Sequence, residues 1–284
     1  MTSSVSTRSR LLGVSSALFD GHAIETWLPA AAEAGIDYVE PAFIPGYSAF
    51  EDSAFSEAEG TKLRKTVLAA GLSVRAVSAH VDLGKPEASA ALSLRIRYAE
   101  ALGAALVVTN AADLQDRDQC LRTLESILPI CEETGISLGV ENPGYGPTQI
   151  VASGRLGAAL VAPFKSRFLG LTYDTANVLT LSEGQLRPEV DLVDTARILH
   201  CHLKDAELID CTWQYRSIGG GAIDYPAVIG QLDRVAPGIP FTLELPIGLV
   251  RPQNRPPFRR SNPIPFAALV ECLRQSARFV SALL

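Results

Sequence analysis

Four apolar stretches of this chain each break off at a titratable side chain, and their spacing leaves few folds open. Leu138-Gly139-Val140-Glu141-Asn142 stops at an acid, Phe168-Leu169-Gly170-Leu171-Thr172-Tyr173-Asp174 at a second, and Phe241-Thr242-Leu243-Glu244 at a third. Between them, Arg197-Ile198-Leu199-His200-Cys201-His202-Leu203-Lys204-Asp205 turns abruptly from apolar to His, Lys and Asp. A buried strand of a parallel sheet reads this way when its C-terminal tip opens onto a polar site. The tips lie 33 residues apart from 141 to 174, 28 from 174 to 202 and 42 from 202 to 244. Each interval holds one strand, one helix and their loops, so three carboxylates and one imidazole are expected to converge at one end of a parallel sheet.

The same unit runs through the rest of the chain. Residues 1–10 read as a disordered tail and 11–284 as the folded unit. Leu11-Leu12-Gly13-Val14 begins the first strand, and a helix capped by Asp20 carries Ile24, Trp27, Leu28 and Ala31 on one face. Gly35 ends that helix, and Tyr38-Val39-Glu40 is a second strand finishing on an acid. Pro41 to Phe55 reads as a loop long enough to cover part of a site. Helices over about 57–70, 87–102 and 117–134 are followed by Gly71, Gly103 and Gly135, and Pro129 predicts a kink in the third. They alternate with strands over Leu72 to Ala79, 105–110 and the stretch ending at Glu141, before strands at 168–173, 197–202 and 240–245 and a last helix from about 265.

Eight such units predict a single (β/α)8 TIM barrel, a fold of typically ~250 residues that grows by insertion; 284 residues fit it. The rival is an open doubly wound sheet, but no GxGxxG follows the first strand, and Gly219-Gly220-Gly221 lies too late to be a phosphate loop. That triplet reads as a flexible return. The loops after strands seven and eight, 203–223 and 246–265, are unusually long and read as lids over the C-terminal face, where such barrels keep their chemistry.

Charge and cysteine usage exclude several classes. A net charge of −6 is wrong for a broad nucleic-acid surface, which needs clustered Lys and Arg. Five cysteines without CxxC spacing suggest neither a disulfide framework nor a thiolate zinc site. The apolar stretch after Arg8 and Arg10 is interrupted by Ser15 and Ser16 and closed by Asp20, unlike a secretory leader, and no run of about 18 apolar residues appears. A soluble cytoplasmic protein is expected, with no membrane or nucleic-acid partner. Association into a homo-oligomer, through helices or the proline-rich loop after strand eight, is compatible with the pattern.

Glu141, Asp174, His202 and Glu244 offer three carboxylates and a neutral imidazole with no thiolate. That mix suits one divalent ion of intermediate hardness, Mn2+ first, with Mg2+, Co2+ or Zn2+ as alternatives. Taken singly, an acid after a strand is more often a helix cap or a solvated loop residue; four at consecutive strand ends are harder to explain that way. His80, Lys204, Asp205, Trp213 and Arg216 are candidate substrate contacts: His80 at a strand tip, Lys204 and Asp205 able instead to pair with each other, Trp213 as a wall for a sugar face, Arg216 for an anionic group. His200 is expected to pack deeper on the same strand, and Glu40 to orient other polar groups of the barrel.

Val140-Glu141-Asn142, Tyr173-Asp174-Thr175-Ala176-Asn177, His202-Leu203-Lys204-Asp205 and Leu243-Glu244-Leu245 resemble the metal-site signatures of the xylose-isomerase-like sugar isomerase/epimerase superfamily, as Gly219 to Asp224 resembles its Gly-rich segment. The resemblance spans strand two to the last helix and implies that Glu141, Asp174, His202 and Glu244 ligate one divalent ion. Asn177 stands where ketose 3-epimerases of that superfamily often carry His, a departure that bears on the particular reaction and not on the superfamily. Asn177 joins the substrate contacts on this ground. The implied activity is isomerisation or epimerisation of a ketose or keto-polyol through a metal-stabilised enediolate, one of Glu141 and Glu244 removing the α proton and the other returning it. The same ligands would serve a lyase, such as a keto-polyol dehydratase or a 3-keto-glycoside-cleaving enzyme. A barrel that binds sugar without turnover is a further alternative.

Overall fold

Eight parallel staves form and close on themselves, with two of them broken by a single residue. The computed structural model describes residues 10–45, 50–146, 148–192 and 197–284. The strands in chain order are β1 (Leu12–Ser15), β2 (Tyr38–Glu40), β3 (Ala42–Phe43), β4 (Ser73–Val74), β5 (Ala76–Ala79), β6 (Leu106–Asn110), β7 (Ser137–Glu141), β8 (Leu169–Asp174), β9 (Ile198–Leu203), β10 (Asp205–Ile209), β11 (Thr212–Arg216), β12 (Phe241–Leu243), β13 (Leu249–Pro252) and β14 (Phe258–Arg259). Pro41 has no N–H to give to a ladder, so the second stave divides into β2 and β3. The third divides at Arg75 into β4 and β5. β2 pairs with β4 and β3 with β5, while β12 pairs with both β9 and β1. The ring β1, β2/β3, β4/β5, β6, β7, β8, β9, β12 is therefore complete, every pairing parallel. This is the TIM-barrel fold expected from the strand spacing.

Around the ring run α1 (Ile24–Glu33), α2 (Glu57–Ala69), α3 (Ala88–Leu102), α4 (Arg117–Thr134), α5 (Gly154–Val161), α6 (Thr175–Leu181), α7 (Pro188–Asp191), α8 (Tyr225–Val235) and α9 (Phe266–Ser281). Gly103 and Gly135 take left-handed conformations (φ 80° and 72°) at the ends of α3 and α4, and α4 continues as helix through Pro129. The first helix starts later than expected. Ser16–Phe19 form a 3-10 turn, the chain reverses at Gly21 (φ 85°), and Ala23 rather than Asp20 occupies the N-cap of α1.

Most of the expected tail, residues 1–9, lies outside the described residues. Arg10 does not belong with it: the side chain is buried, donates to Asp233 Oδ1 and to the carbonyls of Ala236 and Ile239, and lies over the Phe241 ring. Of the long loop after strand two, residues 46–49 are likewise outside the described residues.

The two long excursions are not separate lids. β10, β11, β13 and β14 make one antiparallel four-stranded sheet, with Thr212 opposite Pro252 and Trp213 opposite Arg251, so the insertion after strand seven is hydrogen-bonded to the insertion after strand eight. The alternation in β11, with Trp213 and Tyr215 buried between less buried neighbours, is the period-two signal of a half-buried strand. It is five residues long and easily read as loop.

The interior near the site is polar, which is unusual for a barrel core. Tyr38 crosses it, its hydroxyl donating to Phe241 O at 2.7 Å. A Cβ on Gly13 would come within 2.2 Å of that ring, so glycine is required there. β8 and β9 slip in register between Leu171 and Thr172, which sets His200 opposite Thr172 and His202 opposite Asp174. A bulge of this kind re-aims side chains next to a site. Gly170 makes room for it, since a Cβ there would lie 2.6 Å from Leu199 Cγ.

Candidate metal centre and substrate chamber

Glu141 ends β7, Asp174 ends β8, His202 lies in β9 and Glu244 immediately follows β12. Each offers one ligand atom, the four atoms lie within 4.8 Å of one another, and all four side chains are buried. His202 Nδ1 is 2.6 Å from Glu141 Oε1, 3.1 Å from Glu244 Oε2 and 3.9 Å from Asp174 Oδ2. Lys204 Nζ lies 2.8 Å from Asp174 Oδ2 and 2.9 Å from Glu244 Oε2. Asn142 fixes the Asp174 backbone by a reciprocal pair, Nδ2 donating to Asp174 O and Oδ1 accepting from Asp174 N.

Asp174 also caps α6, its Oδ1 accepting from Asn177 N at 2.8 Å. The bland role of an acid after a strand is thus real here, and it uses one oxygen while the other points to the cluster.

Below the four sits Glu40, fully buried, whose carboxylate meets His202 Nε2 at 2.8 Å and His200 Nε2 at 2.9 Å. It also accepts from Ser78 Oγ at 2.7 Å and Thr242 Oγ1 at 2.6 Å. With Nε2–H of His202 directed to Glu40, Nδ1 is the nitrogen presented to the three carboxylates, the arrangement by which an outer carboxylate fixes the tautomer of a ligating histidine. Burial alone would raise the Glu40 carboxyl, but His202 and His200 hold it well below the ordinary range. Burial alone would lower His202, but Glu40, Glu141 and Glu244 raise it well above. For Asp174 burial wins over Lys204, and the carboxyl is pushed up to about 7. Glu244 is lowered because Lys204 and His202 together outweigh its burial.

Four buried carboxylates here face one ammonium, Lys204, and three imidazoles, His202, His200 and His80, within ion-pair reach, and burial lowers the last two towards the neutral form. A surplus of buried negative charge is costly unless a cation offsets it. Asp174 Oδ2 and Glu244 Oε2 are buried without a well-formed hydrogen bond. Charge and donor set both fit a divalent cation of the oxygen- and imidazole-loving kind.

A family model for the xylose isomerase-like TIM barrel matches residues 28–261. The chain belongs to this family. Among curated proteins no sequence matches it. Among solved structures, a D-psicose 3-epimerase from Clostridium cellulolyticum H10, determined with D-tagatose, superposes with a TM-score of 0.74 at 14% identity over 96% of this chain and 99% of that one. An L-ribulose 3-epimerase superposes with a TM-score of 0.70 at 14% identity over 96% and 94%. The IolI protein, with a bound zinc atom, does so with a TM-score of 0.72 at 16% identity over 96% and 97%. Sugar epimerases thus share the xylose isomerase-like barrel with this chain.

Above the cluster is a small chamber of about 100 Å3, walled by His80, Glu141, Tyr145, Asn177, Lys204 and Glu244 among others. His80 Nε2 lies 3.3 Å from Glu141 Oε2. Asn177 donates through Nδ2 to Asn142 O and its Oδ1 is 3.4 Å from Lys204 Nζ. Three other sequence candidates are placed elsewhere. Asp205 does not pair with Lys204: its carboxylate collects the backbone N–H groups of Ala206, Gly219, Gly221 and Ile223. The glycine triplet is therefore tied down rather than a free return, and a Cβ on Gly221 would come within 2.2 Å of Asp205 Oδ1. Trp213 is buried and donates to Glu183 Oε2, and Arg216 pairs with Glu207.

Burial outweighs the four donors and pushes Asp205 up to about 6. A carboxyl raised on folding contributes stability that is complete below its ordinary value of 3.8 and is lost as pH rises through about 6. The melting temperature of Asp205→Asn, followed from pH 4 to 7, is therefore expected to change less across this window than that of the wild type.

Arg251, from β13, is a chamber residue that the sequence did not single out. Its side chain is buried, with NH1 donating to Gly144 O at 2.7 Å and to Thr180 Oγ1 at 2.6 Å, and it faces the rings of Tyr145 and Tyr215. Gly144 is required by this approach, since a Cβ there would overlap Arg251 NH1 at 1.9 Å. One arginine among four in a proline-rich loop carries no sequence mark of this role.

Proposed function

We propose that the chain is a divalent-metal-dependent isomerase or epimerase of a ketose or keto-polyol, with Glu141 and Glu244 as the proton-transferring pair. One observation carries the reading: two buried glutamates, one ending β7 and one just after β12, strands separated by β8 and β9 in the ring, meet at the same nitrogen of His202. Glu141, Asp174, His202 and Glu244 would hold the ion, which when bound supplies Lewis-acid stabilisation of charge on the substrate oxygens. The family's epimerase structures support a carbohydrate substrate.

The side chains divide the work. Glu244, kept ionised by Lys204 and His202, is suited to accept a proton from carbon, and Glu141, against His80, to handle the second transfer. Return of the proton to the same carbon from the other face gives an epimer; return to the neighbouring carbon gives an aldose. Asn177 and His80 face the chamber with polar groups for substrate hydroxyls, and Arg251 of β13 forms part of its wall. The buried ammonium of Lys204 in the chamber wall also favours, as a second reading, a lyase in which it donates the proton to a departing hydroxyl.

The test is proton NMR of a ketose and keto-polyol panel in D2O, with the Mn2+-loaded protein and with the same protein after chelation. Loss of an α C–H signal that stops on chelation and returns with Mn2+ is expected. The product spectrum distinguishes epimer, aldose and dehydrated product, and exchange that persists fully after the metal is stripped would overturn the metal assignment.

A further inference from the structure

The chamber over the cluster does not stand alone. At about 100 Å3 it is well under the ~300 Å3 at which small-molecule sites usually begin. A second cavity of about 270 Å3 shares Pro45, His80, Asn110, Pro143 and Tyr145 with it, so the two adjoin, with His80 between them. A molecule whose reacting carbon reaches Glu141 and Glu244 must leave the rest of its length in the outer part.

The outer part has a distinct chemistry. Its polar walls are Asp82, Asn110, Asp113 and Gln149, and its flat surfaces are Pro45, Pro143 and the half-exposed ring of Tyr145. Asp113 Oδ1 accepts from Gln149 Nε2 at 2.6 Å and from Thr148 Oγ1 at 3.1 Å, which holds these groups on one wall. Among the described residues no Lys or Arg lines it. Lys85 pairs with Asp82 at 3.5 Å without forming part of the wall. The residues outside the described set nearest in sequence, 46–49 and 147, are Gly, Tyr, Ser, Ala and Pro. The cations of the inner chamber are engaged, Lys204 by Asp174 and Glu244, Arg251 by Gly144 O and Thr180. His80 is buried and its Nε2 lacks a well-formed hydrogen bond at the point where both cavities meet.

Planar carboxylate and amide groups beside an aromatic face suit hydroxyl-rich, uncharged molecules: the side chains accept and donate to hydroxyls, and the ring meets C–H faces. Two carboxylates repel a phosphoryl group placed between them. We infer that the substrate is an uncharged polyhydroxy compound longer than one sugar unit, its keto end in the inner chamber and a glycosyl or polyol remainder in the outer cavity, and that sugar phosphates are disfavoured. This deepens the proposed isomerase reading and rests on it for which end reacts.

Three probes decide it with the Mn2+-loaded protein: D-fructose, D-fructose 6-phosphate and lactulose, a neutral disaccharide with a ketose end. Each is measured twice, by calorimetric binding and by α C–H exchange in D2O. Lactulose is expected to bind about tenfold more tightly than fructose, a gain of ~1.4 kcal/mol, and fructose 6-phosphate more weakly than fructose. Asp82→Asn, and separately Asp113→Asn, are expected to narrow the gap between fructose and its phosphate, as is added salt. Binding of fructose 6-phosphate equal to or tighter than fructose, or lactulose no tighter than fructose, overturns the inference. Absence of exchange in all three, with the binding order as expected, overturns the isomerase reading and leaves the inference standing.

Discussion

Glu244→Gln is expected to lower α C–H exchange by about 10^2–10^4-fold, the usual contribution of a positioned proton-transfer group. The glutamate has two tasks at once, as a carboxylate 3.1 Å from His202 Nδ1 and as the partner of Lys204 at 2.9 Å. Glutamine keeps the size and one acceptor but takes no proton from carbon. It also removes one negative charge from a cluster that has a surplus, so the fold is expected to survive. Two measurements separate the tasks: exchange rate at saturating Mn2+, and Mn2+ content by mass spectrometry. A variant that loads Mn2+ fully and still exchanges at the wild-type rate would show that Glu244 is not in the proton path. Glu141→Gln under the same conditions is expected to keep first-proton exchange and lose product, as its place in the second transfer requires, and undiminished product there would take Glu141 out of the proton path.

The second large effect concerns a residue that faces no substrate. Glu40→Leu removes the acceptor for His202, His200, Ser78 and Thr242 together. Breaking a buried ion pair on one side costs about 3–5 kcal/mol, so a clear fall in melting temperature is expected. Glu40→Gln keeps the shape and part of the hydrogen bonding. It is expected to stay folded and to lose about 10–100-fold in metal affinity, as outer partners of ligating histidines do when changed. Unchanged Mn2+ affinity in a folded Glu40→Gln would remove Glu40 from the metal centre.

The pH dependence of this network has a definite sign in the metal-free protein. Glu40 is lowered on folding, so its contribution is present above its ordinary 4.5 and is lost only as pH falls through the lower folded value. His202 is raised, so its contribution is complete below its ordinary 6.5 and is lost as pH rises through the higher folded value. Both are in force between 4.5 and 6.5, and the stability difference between wild type and Glu40→Leu is expected to be greatest there.

The barrel could be read from the chain because each stave is a short apolar run followed by a helix of 3.6 periodicity, a local pattern that burial on both faces imposes. The four clustered side chains could be read for the same reason: the strand end is where an apolar run must turn polar. Other features depend on partners far along the chain. Asp205 looked like a substrate contact because it follows Lys204, yet its carboxylate is satisfied by backbone N–H groups up to Ile223, which only the return of the chain brings near. Trp213 sits in β11, which pairs with the neighbouring β10 on one side but on the other with β13, a strand that begins more than thirty residues later, at Leu249. Arg251 reaches the chamber from that partner. Glu40 and His200 read from the sequence as orienting and packing residues, and it is their mutual contact across 160 positions that makes them one unit.

The four-stranded sheet over the barrel end has a consequence for how such a chain can change over evolutionary time. Its ladders join the excursion after β9 to the excursion after β12 and are separate from the parallel ring. It delivers Arg251 to the chamber, whereas Glu141, Asp174, His202 and Glu244 belong to the staves or their tips. On the proposed reading, this wall of the chamber and the proton-transferring pair are inherited on different parts of the architecture. Substitutions that pair across β11 and β13 can drift together and reshape that wall, while the proposed proton-handling set stays under its own, stricter constraint.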